Sequence, residues 1–555
     1  MIATACPAAD AGSGPRFAEE ESQPMQEITV GLYQVHDFEL RSRTAHDNPF
    51  RVPVSATFQH ESGAVINDLE GFYDGGDVWR IRFSPNRQGL WRGATRGDDP
   101  QLDGIELPAV RCVPNDNPAV HGMMRVDPQA PHRFVFEDGT PAVPLGFEWD
   151  WMFAYHQEHG QGRSSSRDNP PFEEAMDLIC RSGFNYIVAN LYAHLYHRNE
   201  TNPQTEPYLY RPPKMWPFGG SNDQPDHSRL NVEFFQDFDR MVAQLHRRGV
   251  LLHLMIQVQN KKVNWPDRAS AEDDVFWRYV VARYQGFCNV IWDVSKESYN
   301  LLARTGGHDY TLSRIGLIRR SDAYGHLVTA HDNERESWGA VSVVDKAADF
   351  IADQVKFGGA EANWAVQSAH KLNREAVRRW RRAAKPYMNV EYGYELGVEP
   401  LSVPSVKFST SGENILLWTW ALYVAGAYPN YYYCNTSWDL IKFHPIPPSW
   451  PCYRHLADFL GLMDLRNMAP DNDLVQGGMC SAEPGKQYFV LLPAGGDESI
   501  DLTAVPKGAG VQATWIDITG GQQVSQAVED WGFSVKLANP LAQPDRPCAI
   551  YLKVR

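Results

Sequence analysis

Residues 233–256 read EFFQDFDRMVAQLHRRGVLLHLMI, and this stretch decides the fold class. In its first part the large apolar side chains from Phe234 to Leu245 recur at helical spacing on one face, and Gly249 ends the pattern after two arginines. The run that follows, residues 250–256, is almost wholly apolar, which is typical of a strand buried on both faces. A helix followed directly by such a strand predicts one unit of a parallel, helix-covered sheet.

The same alternation of short apolar runs and amphipathic helices extends over residues 126–465. Further helical patterns lie at residues 271–285, 373–383 and 412–425. Eight runs are predicted to be strands: residues 142–147, 185–190, 250–256, 289–294, 326–330, 348–351, 386–391 and 428–434. Eight strands separated by helices predict an α/β fold built on a (β/α)8 TIM barrel.

Period-two alternation replaces this pattern on both sides of the barrel. Over residues 26–125 apolar and polar residues alternate, as from Val52 to Phe58, which predicts an N-terminal β-sandwich. Alternation returns over residues 466–555 and predicts a C-terminal β-sandwich domain of antiparallel strands. Residues 1–25, rich in Ala, Gly, Ser, Glu and Pro, are predicted to form a flexible arm.

Composition excludes several classes of partner. The 555 residues carry a formal net charge of −16, whereas a nucleic-acid binder needs a basic surface to replace phosphate counterions. No run approaches the roughly 18 consecutive apolar residues of a membrane span, so no membrane partner is expected. The N-terminus lacks the basic and apolar segments of a signal peptide, which predicts a cytoplasmic location and leaves bacterial export open.

The eight cysteines and the histidines show no ligand pattern. The cysteines are widely scattered without a CxxC motif, which favours buried free thiols over disulfides or a zinc site. His194 and His197 have no further ligand at suitable spacing. The sequence therefore predicts neither a metal site nor a cofactor, and it leaves a homo-oligomer open.

Two predicted strands end in carboxylates. Glu297 follows the fourth strand and Glu391 closes the seventh. Reacting groups of TIM barrels lie at the carboxyl ends of the strands, and strands four and seven face each other across the mouth. Two facing carboxyl groups can protonate an acetal leaving group and capture the oxocarbenium-like centre, so the pattern predicts cleavage of a glycosidic bond.

These features resemble a known group of enzymes. Glutamates ending strands four and seven are similar to those of retaining clan A glycoside hydrolases. Residues 71–75 (GFYDG), 79–85 (WRIRFSP) and 89–91 (GLW) resemble the DUF5060 β-sandwich that precedes many bacterial barrels of this kind. The barrel resembles the DUF4038/apiosidase-like group, whose C-terminal partner is a collagen-binding-like β-domain. The resemblance implies that Glu297 is the acid/base and Glu391 the nucleophile of a retaining, double-displacement mechanism.

The sequence departs from this resemblance at one position. Clan A enzymes usually carry asparagine before the acid/base, where its amide binds the sugar 2-hydroxyl, but Lys296 precedes Glu297 here. This departure affects the prediction of which sugar is bound more than the prediction of which reaction is catalysed. A lysine there also lowers the pKa of the acid/base unless its side chain points elsewhere.

Polar and aromatic residues recur at the other strand ends. Amide and imidazole groups pair with sugar hydroxyls, and indole rings stack on the C–H faces of sugars. The predicted substrate-binding residues are Glu148, Asp150, Trp151, Asn190, His194, Gln257, His331, Gln354, Tyr392, Asn435 and Trp438.

The predicted function is hydrolysis of an oligo- or polysaccharide. The aromatic-rich loop at residues 197–230 favours exo action if it walls off one end of the cleft. Three alternatives stay open: a transglycosidase using the same site, a carbohydrate-binding barrel without catalysis, and a metal-dependent lyase or isomerase.

Overall fold

The computed structural model describes residues 27–160, 168–196, 205–305, 308–331, 342–357, 364–397, 408–529 and 532–555. The predicted arm at residues 1–25 lies outside this part of the chain. So does the beginning of the 197–230 loop.

Two sheets form the N-terminal sandwich, in the orders β1-β8-β7-β3-β4 and β2-β6-β5. Phe58 and Phe83 stack between them with ring centroids 3.9 Å apart, and Trp91 packs edge-on against Phe83. The strands are β1 (Glu27–Gly31), β2 (His36–Arg41), β3 (Val54–His60), β4 (Val65–Glu70), β5 (Phe72–Gly75), β6 (Val78–Phe83), β7 (Gly89–Gly97) and β8 (Glu106–Val113). A small antiparallel sheet of β9 (Met124–Asp127), β10 (Ala130–Phe136) and β11 (Pro141–Ala142) leads into the barrel.

The barrel contains eight parallel strands, as the apolar runs predict. These are β12 (Gly146–Glu148), β13 (Tyr186–Asn190), β16 (Leu251–Val258), β17 (Val290–Lys296), β18 (Val328–Thr329), β19 (Ile351–Asp353), β20 (Tyr387–Asn389) and β23 (Tyr428–Tyr431). Their order is β18-β17-β16-β13-β12-β23-β20-β19, and only the β18–β19 pairing that would close the ring is missing among the described residues. The predicted TIM barrel with flanking β-domains is therefore confirmed.

Helices cover the outside of the barrel. They are α1 (Met152–His159), α2 (Phe172–Arg181), α3 (Val232–Arg247), α4 (Ala271–Tyr284), α5 (Tyr299–Thr305), α6 (Asp309–Ser321), α7 (Val343–Ala347), α8 (Trp364–Arg382), α9 (Gly412–Val424) and α10 (Trp450–Leu460). Helix α8 begins well before the predicted residue 373, because Ala369 and Leu372 extend its buried stripe. Two short strand pairs lie in the connections: the antiparallel hairpin of β14 (Phe218–Gly220) with β15 (Pro225–Leu230), and the parallel pair of β21 (Tyr394–Glu395) with β22 (Ser409–Thr410).

The C-terminal strands form a six-stranded antiparallel sheet, in the order β24-β25-β26-β31-β28-β29, and a separate pair, β27-β30. Their bounds are β24 (Ala469–Pro470), β25 (Met479–Glu483), β26 (Gln487–Leu492), β27 (Glu498–Ile500), β28 (Val511–Asp517), β29 (Gln523–Val528), β30 (Val535–Leu537) and β31 (Cys548–Val554). Phe489 of β26 packs against Trp420 of α9 at 6.0 Å, which joins this sheet to the barrel.

A buried charge network joins the N-terminal sandwich to the barrel. Arg82 of β6 bonds to Asp37 at 2.8 Å and to Asp239 of α3 at 3.0 Å. Arg283 of α4 bonds to Asp239 at 2.8 Å and to Asp74 of β5 at 2.9 Å. Burial raises the pKa of Asp239, but the two arginines outweigh burial and lower this pKa to about 2. The network therefore remains charged throughout the neutral range.

We expect Arg283→Met to lower the free energy of unfolding by about 2 kcal/mol, as followed by chemical denaturation. Breaking an isolated buried ion pair costs about 3–5 kcal/mol, but Asp239 keeps Arg82 as a partner and Asp74 keeps Arg80. Arg278→Met is the control, because the ion pair of Arg278 with Glu70 lies at the surface and is worth less than about 1 kcal/mol. Equal losses in the two variants would contradict the prediction.

Candidate active site

The two carboxylates predicted to do the chemistry lie together at the barrel mouth. Glu297 directly follows β17, and Glu391 lies just beyond β20. Gln354, which follows β19, reaches both of them: its Nε2 lies 2.8 Å from Oε1 of Glu391 and 3.4 Å from Oε1 of Glu297. The distance between these two oxygens therefore cannot exceed the sum of 2.8 and 3.4 Å.

Four donors hold the Glu391 carboxylate. Lys356 Nζ and the Tyr394 hydroxyl contact Oε2 at 2.6 and 2.7 Å. Gln354 Nε2 and Lys296 Nζ contact Oε1 at 2.8 and 3.3 Å. Both oxygens are thus held in place before any substrate arrives.

Opposing effects act on the pKa of Glu391. Burial favours the neutral carboxyl and raises the pKa, whereas the charges of Lys356 and Lys296 favour the ionised form. The positive charges outweigh burial and hold the pKa of Glu391 well below its usual value. Glu391 is therefore ionised at neutral and mildly acidic pH.

Lys296 points into the barrel floor. Its Nζ lies 2.7 Å from Oε1 of Glu148 and 2.9 Å from Oδ1 of Asp150, and the side chain is 2% exposed. Burial alone would lower the pKa of Lys296, but the surrounding carboxylates raise it well above its usual value. Lys296 is therefore a permanently charged part of the floor beneath Glu391.

Glu148 and Asp150, which the sequence predicts as sugar ligands, lie beneath the pocket. Their remaining oxygens are also occupied: Asn430 donates to Oε2 of Glu148 at 2.7 Å, and Tyr432 donates to Oδ2 of Asp150 at 3.0 Å. Burial raises the pKa of Glu148 well above its usual value, whereas the charge of Lys296 overcomes burial and lowers the pKa of Asp150. Glu148 and Asp150 therefore hold the Lys296 ammonium group in place.

Glu297 has a different environment from Glu391. Asn260 and Asn300 donate their amides to Oε2, the latter at 3.4 Å, and Gln354 donates to Oε1. Among the described residues, only amides hydrogen-bond to this half-buried carboxyl group. Its backbone has φ of 47°, in the left-handed region that non-glycine residues rarely adopt.

His331 lies behind Gln354. Its Nε2 is 3.0 Å from Nε2 of Gln354. Burial lowers the pKa of His331 to about 3, so the imidazole is neutral at physiological pH. A neutral ring can accept the amide hydrogen of Gln354, and this contact orients the amide.

An aromatic cluster formed by Tyr196, Tyr394, Tyr432 and Trp438 lies next to Glu391. The Trp438 ring centroid is 5.5 Å from that of Tyr394 and 5.2 Å from that of Tyr432, and Tyr196 lies parallel to Trp438 at 6.4 Å. Asn435 is buried in the turn that precedes Trp438. The Tyr394 hydroxyl joins this cluster to Glu391.

An open pocket of about 710 Å³ lies close to Glu297. Asn260, which donates to Glu297, forms part of its lining together with His194 and Arg304. Most of the other lining groups are also polar, including the amides of Asn222 and Asn264. Such a lining offers paired donors and acceptors for hydroxyl groups.

Four predicted binding residues lie in the barrel wall or floor: Trp151, Asn190, Gln257 and Tyr392. The Tyr392 hydroxyl bonds to Thr419 at 2.6 Å, and the Gln257 amide donates to Tyr310 at 3.2 Å. The other two are fully buried. Position at a strand end brings a residue close to the mouth but does not decide which way its side chain turns.

Four residues that contact the two carboxylates were missed by the sequence reasoning: Asn260, Asn300, Lys356 and Tyr394. Each lies two or three residues beyond a predicted residue, namely Gln257, Glu297, Gln354 and Glu391. Extending the search past each strand end into the following loop would have found them, since loops after the strands build such sites.

Comparison of the sequence with models of protein families gives two matches. The model of the apiosidase-like catalytic domain matches residues 167–450, which is more than half of the chain. The chain belongs to the apiosidase-like family. It is therefore a glycoside hydrolase with a carbohydrate substrate. A domain of unknown function, DUF5060, matches residues 29–96, ahead of the apiosidase-like barrel. The comparison with curated proteins finds no match.

Solved structures share the fold of this apiosidase-like protein. A candidate glycoside hydrolase from Bacteroides vulgatus ATCC 8482 is 19% identical with a TM-score of 0.72, over 95% of this chain and 100% of that one. A family 5 glycoside hydrolase from the same organism is 14% identical with a TM-score of 0.58, over 78% and 94% of the two chains. A third structure, described as a glycoside hydrolase, is 13% identical with a TM-score of 0.56, over 78% and 97%.

The described residues of the apiosidase-like chain contain no helix that is both long and apolar enough to span a bilayer. They also contain no group of three or more His, Cys, Asp or Glu side chains arranged to hold a metal ion.

Proposed function

We propose that this protein hydrolyses glycosidic bonds with retention of anomeric configuration, through a covalent glycosyl-enzyme intermediate. The spacing of the two carboxyl groups carries the proposal. Retaining enzymes place them about 5–5.5 Å apart, whereas inverting enzymes need about 6.5–9.5 Å to admit a water molecule. The Oε1 atoms of Glu297 and Glu391 both contact Gln354, so they can lie no farther apart than the sum of 2.8 and 3.4 Å. This upper limit is below the inverting range.

Electrostatics support the division of roles. Two lysines keep Glu391 ionised, and an ionised carboxylate is required for attack on the anomeric carbon. Glu297 hydrogen-bonds to amides, and no lysine or arginine among the described residues forms an ion pair with it, in contrast to Glu391. Glu391 is therefore the proposed nucleophile and Glu297 the proposed acid/base.

The reaction then follows two displacements. In the first, a Glu391 oxygen bonds to the anomeric carbon while Glu297 gives its proton to the departing glycosidic oxygen. In the second, Glu297 takes a proton from water, and the resulting nucleophile attacks the anomeric carbon and releases Glu391. The anomeric carbon is inverted once in each displacement, so its configuration is retained.

The shape of the mouth supports exo action. We infer that the aromatic cluster bounds the site next to Glu391, whereas the open 710 Å³ pocket lies close to Glu297. A site open at one side accepts the end of a glycan more readily than its middle. Tyr210 and Phe218 of the 197–230 loop, expected to wall off the cleft, are buried in the barrel core and do not carry this proposal.

The defining experiment combines a substrate panel with stereochemistry. Aryl α- and β-glycosides, both pyranosides and furanosides, identify the sugar, and proton NMR follows the anomer released at early times. Retention is expected, and release of the opposite anomer would overturn the double displacement. Oligosaccharides labelled at one end then test exo action, which releases one terminal unit at a time.

The same panel separates two alternatives. Added acceptor alcohols or sugars yield transfer products in preference to hydrolysis if the protein is a transglycosidase. A carbohydrate-binding barrel without catalysis binds the sugar in calorimetry and releases no aryl group. The contacts of Glu391 with two lysines and a tyrosine favour catalysis over binding alone.

Glu297→Ala should lower kcat/KM for glycosides with poor leaving groups by about 10²–10⁴-fold, because their departing oxygen needs a proton. Glycosides with very acidic leaving groups need little protonation, so they should still form the intermediate, which then accumulates. Azide should restore turnover and give a glycosyl azide of retained configuration. Equal losses for good and poor leaving groups would argue against the acid/base role.

A further inference from the structure

Gln354 occupies a special place between the proposed catalytic groups. It is the one amide among the described residues that hydrogen-bonds both Glu391 and Glu297. The anomeric carbon must lie between these carboxyls during the reaction, so Gln354 borders the position of that carbon and its substituents.

The contacts of the amide fix its orientation. Oε1 of Glu391 is an acceptor at 2.8 Å, and neutral His331 offers a second acceptor at 3.0 Å. Both require the NH2 group of the amide, since a carbonyl oxygen facing a carboxylate would be repelled. The Oε1 atom of Gln354 therefore turns away from them, and it has no hydrogen-bond partner among the described residues.

A half-buried acceptor without a partner at the reaction centre is suited to a substrate hydroxyl. The hydroxyl on the carbon adjacent to the anomeric carbon is the nearest candidate in pyranosides and furanosides alike. Hydrogen bonds to this group strengthen in the transition state of glycoside hydrolysis.

The residue before the acid/base is not available for this contact. Lys296 is 2% exposed and is held by Glu148 and Asp150 at 2.7 and 2.9 Å. Asn260 contacts Glu297 from the side of the open pocket and makes no hydrogen bond to Glu391 among the described residues.

We propose that Gln354 recognises the hydroxyl group adjacent to the anomeric carbon, so that strand six supplies the amide that strand four lacks. The inference rests on the proposed function, because it assumes that Glu297 and Glu391 flank the scissile bond. It makes Gln354 a specificity-determining residue for a sugar that carries this hydroxyl.

The test is a cycle of enzyme and substrate variants. Native enzyme and Gln354→Ala are each assayed with two substrates, the aryl glycoside that the native enzyme cleaves and its 2-deoxy counterpart. Each rate is corrected for spontaneous hydrolysis. Native enzyme should lose about 10²-fold or more in kcat/KM when the hydroxyl is removed. Gln354→Ala should lose a similar factor with the parent glycoside, and removal of the hydroxyl should then cost it less than about fivefold.

Asn300→Ala is the matched control, because Asn300 touches Glu297 at 3.4 Å and makes no hydrogen bond to Glu391 among the described residues. It should keep the full penalty for the 2-deoxy substrate. Calorimetry of the released sugar and its 2-deoxy form with the same variants gives a readout independent of turnover, and the hydroxyl should aid binding only where Gln354 is present.

The possible failures are distinguishable. Hydrolysis by native enzyme with an undiminished 2-deoxy penalty in Gln354→Ala would overturn this inference and leave the proposed function standing. Absence of glycoside hydrolysis by native enzyme across the panel and with oligosaccharides would overturn the proposed function, and this inference with it.

Discussion

Glu391→Ala should lower kcat by at least about 10⁴-fold, which is the scale of loss when a nucleophile is removed from an enzyme that forms a covalent intermediate. The variant keeps the barrel but loses the oxygen that attacks the anomeric carbon. The measurement is turnover of the aryl glycoside that the panel identifies. Azide should then react directly with the anomeric carbon and give a glycosyl azide of inverted configuration.

Two comparisons make this result decisive. Glu413→Ala, which removes an exposed glutamate at the start of α9, should leave kcat unchanged. A 2-deoxy-2-fluoro aryl glycoside should label native protein at Glu391, as located by peptide mass spectrometry. Full activity in a folded Glu391→Ala protein would rule out the proposed nucleophile.

Lys296→Met should destabilise the barrel and weaken catalysis together. The substitution leaves Glu148 and Asp150 buried without their shared cation. Removing one partner of a buried ion pair costs about 3–5 kcal/mol, so a loss of this size is expected in the free energy of unfolding measured by denaturant titration. Lys486→Met, at an exposed ion pair with Glu483, should leave the unfolding curve nearly unchanged.

The pH profile reveals the catalytic part of the Lys296 effect. In the native protein the pKa of Glu391 is held low, so kcat/KM should persist at acidic pH until other groups titrate. Removing a positive charge 3.3 Å from Glu391 disfavours the ionised carboxyl and raises this pKa. The acid limb of the profile should therefore move to higher pH, and an unmoved limb would show that Lys296 acts on stability alone.

The barrel was predictable because each strand is a continuous apolar run between helical patterns. Residues 250–256 show this clearly, since β16 is buried along its whole length. The start of α8 was missed because Arg374 and its basic neighbours dominate the composition of that region. Small residues such as Ala369 carry the buried stripe there without a strong apolar signal.

The proximity of Glu297, Glu391 and Gln354 also follows from the sequence, since all three come at strand ends. The direction of each side chain does not. Lys296 and Glu297 are adjacent in the chain, yet one turns into the floor and the other into the mouth. Burial of Lys296 depends on the carboxylates of Glu148 and Asp150, which lie far away in the sequence. No local sequence pattern predicts that pairing.

The left-handed backbone at Glu297 determines the aim of the proposed proton donor. This conformation is sterically unfavourable for residues with a Cβ, so it persists only where neighbouring contacts enforce it. Asn300 donates to the Glu297 carbonyl at 3.1 Å, and the Ser298 amide donates to the His331 carbonyl at 2.9 Å. The peptide unit that joins Glu297 to Ser298 is thereby held at both its oxygen and its N–H. The main chain itself therefore directs the Glu297 carboxyl toward a leaving group.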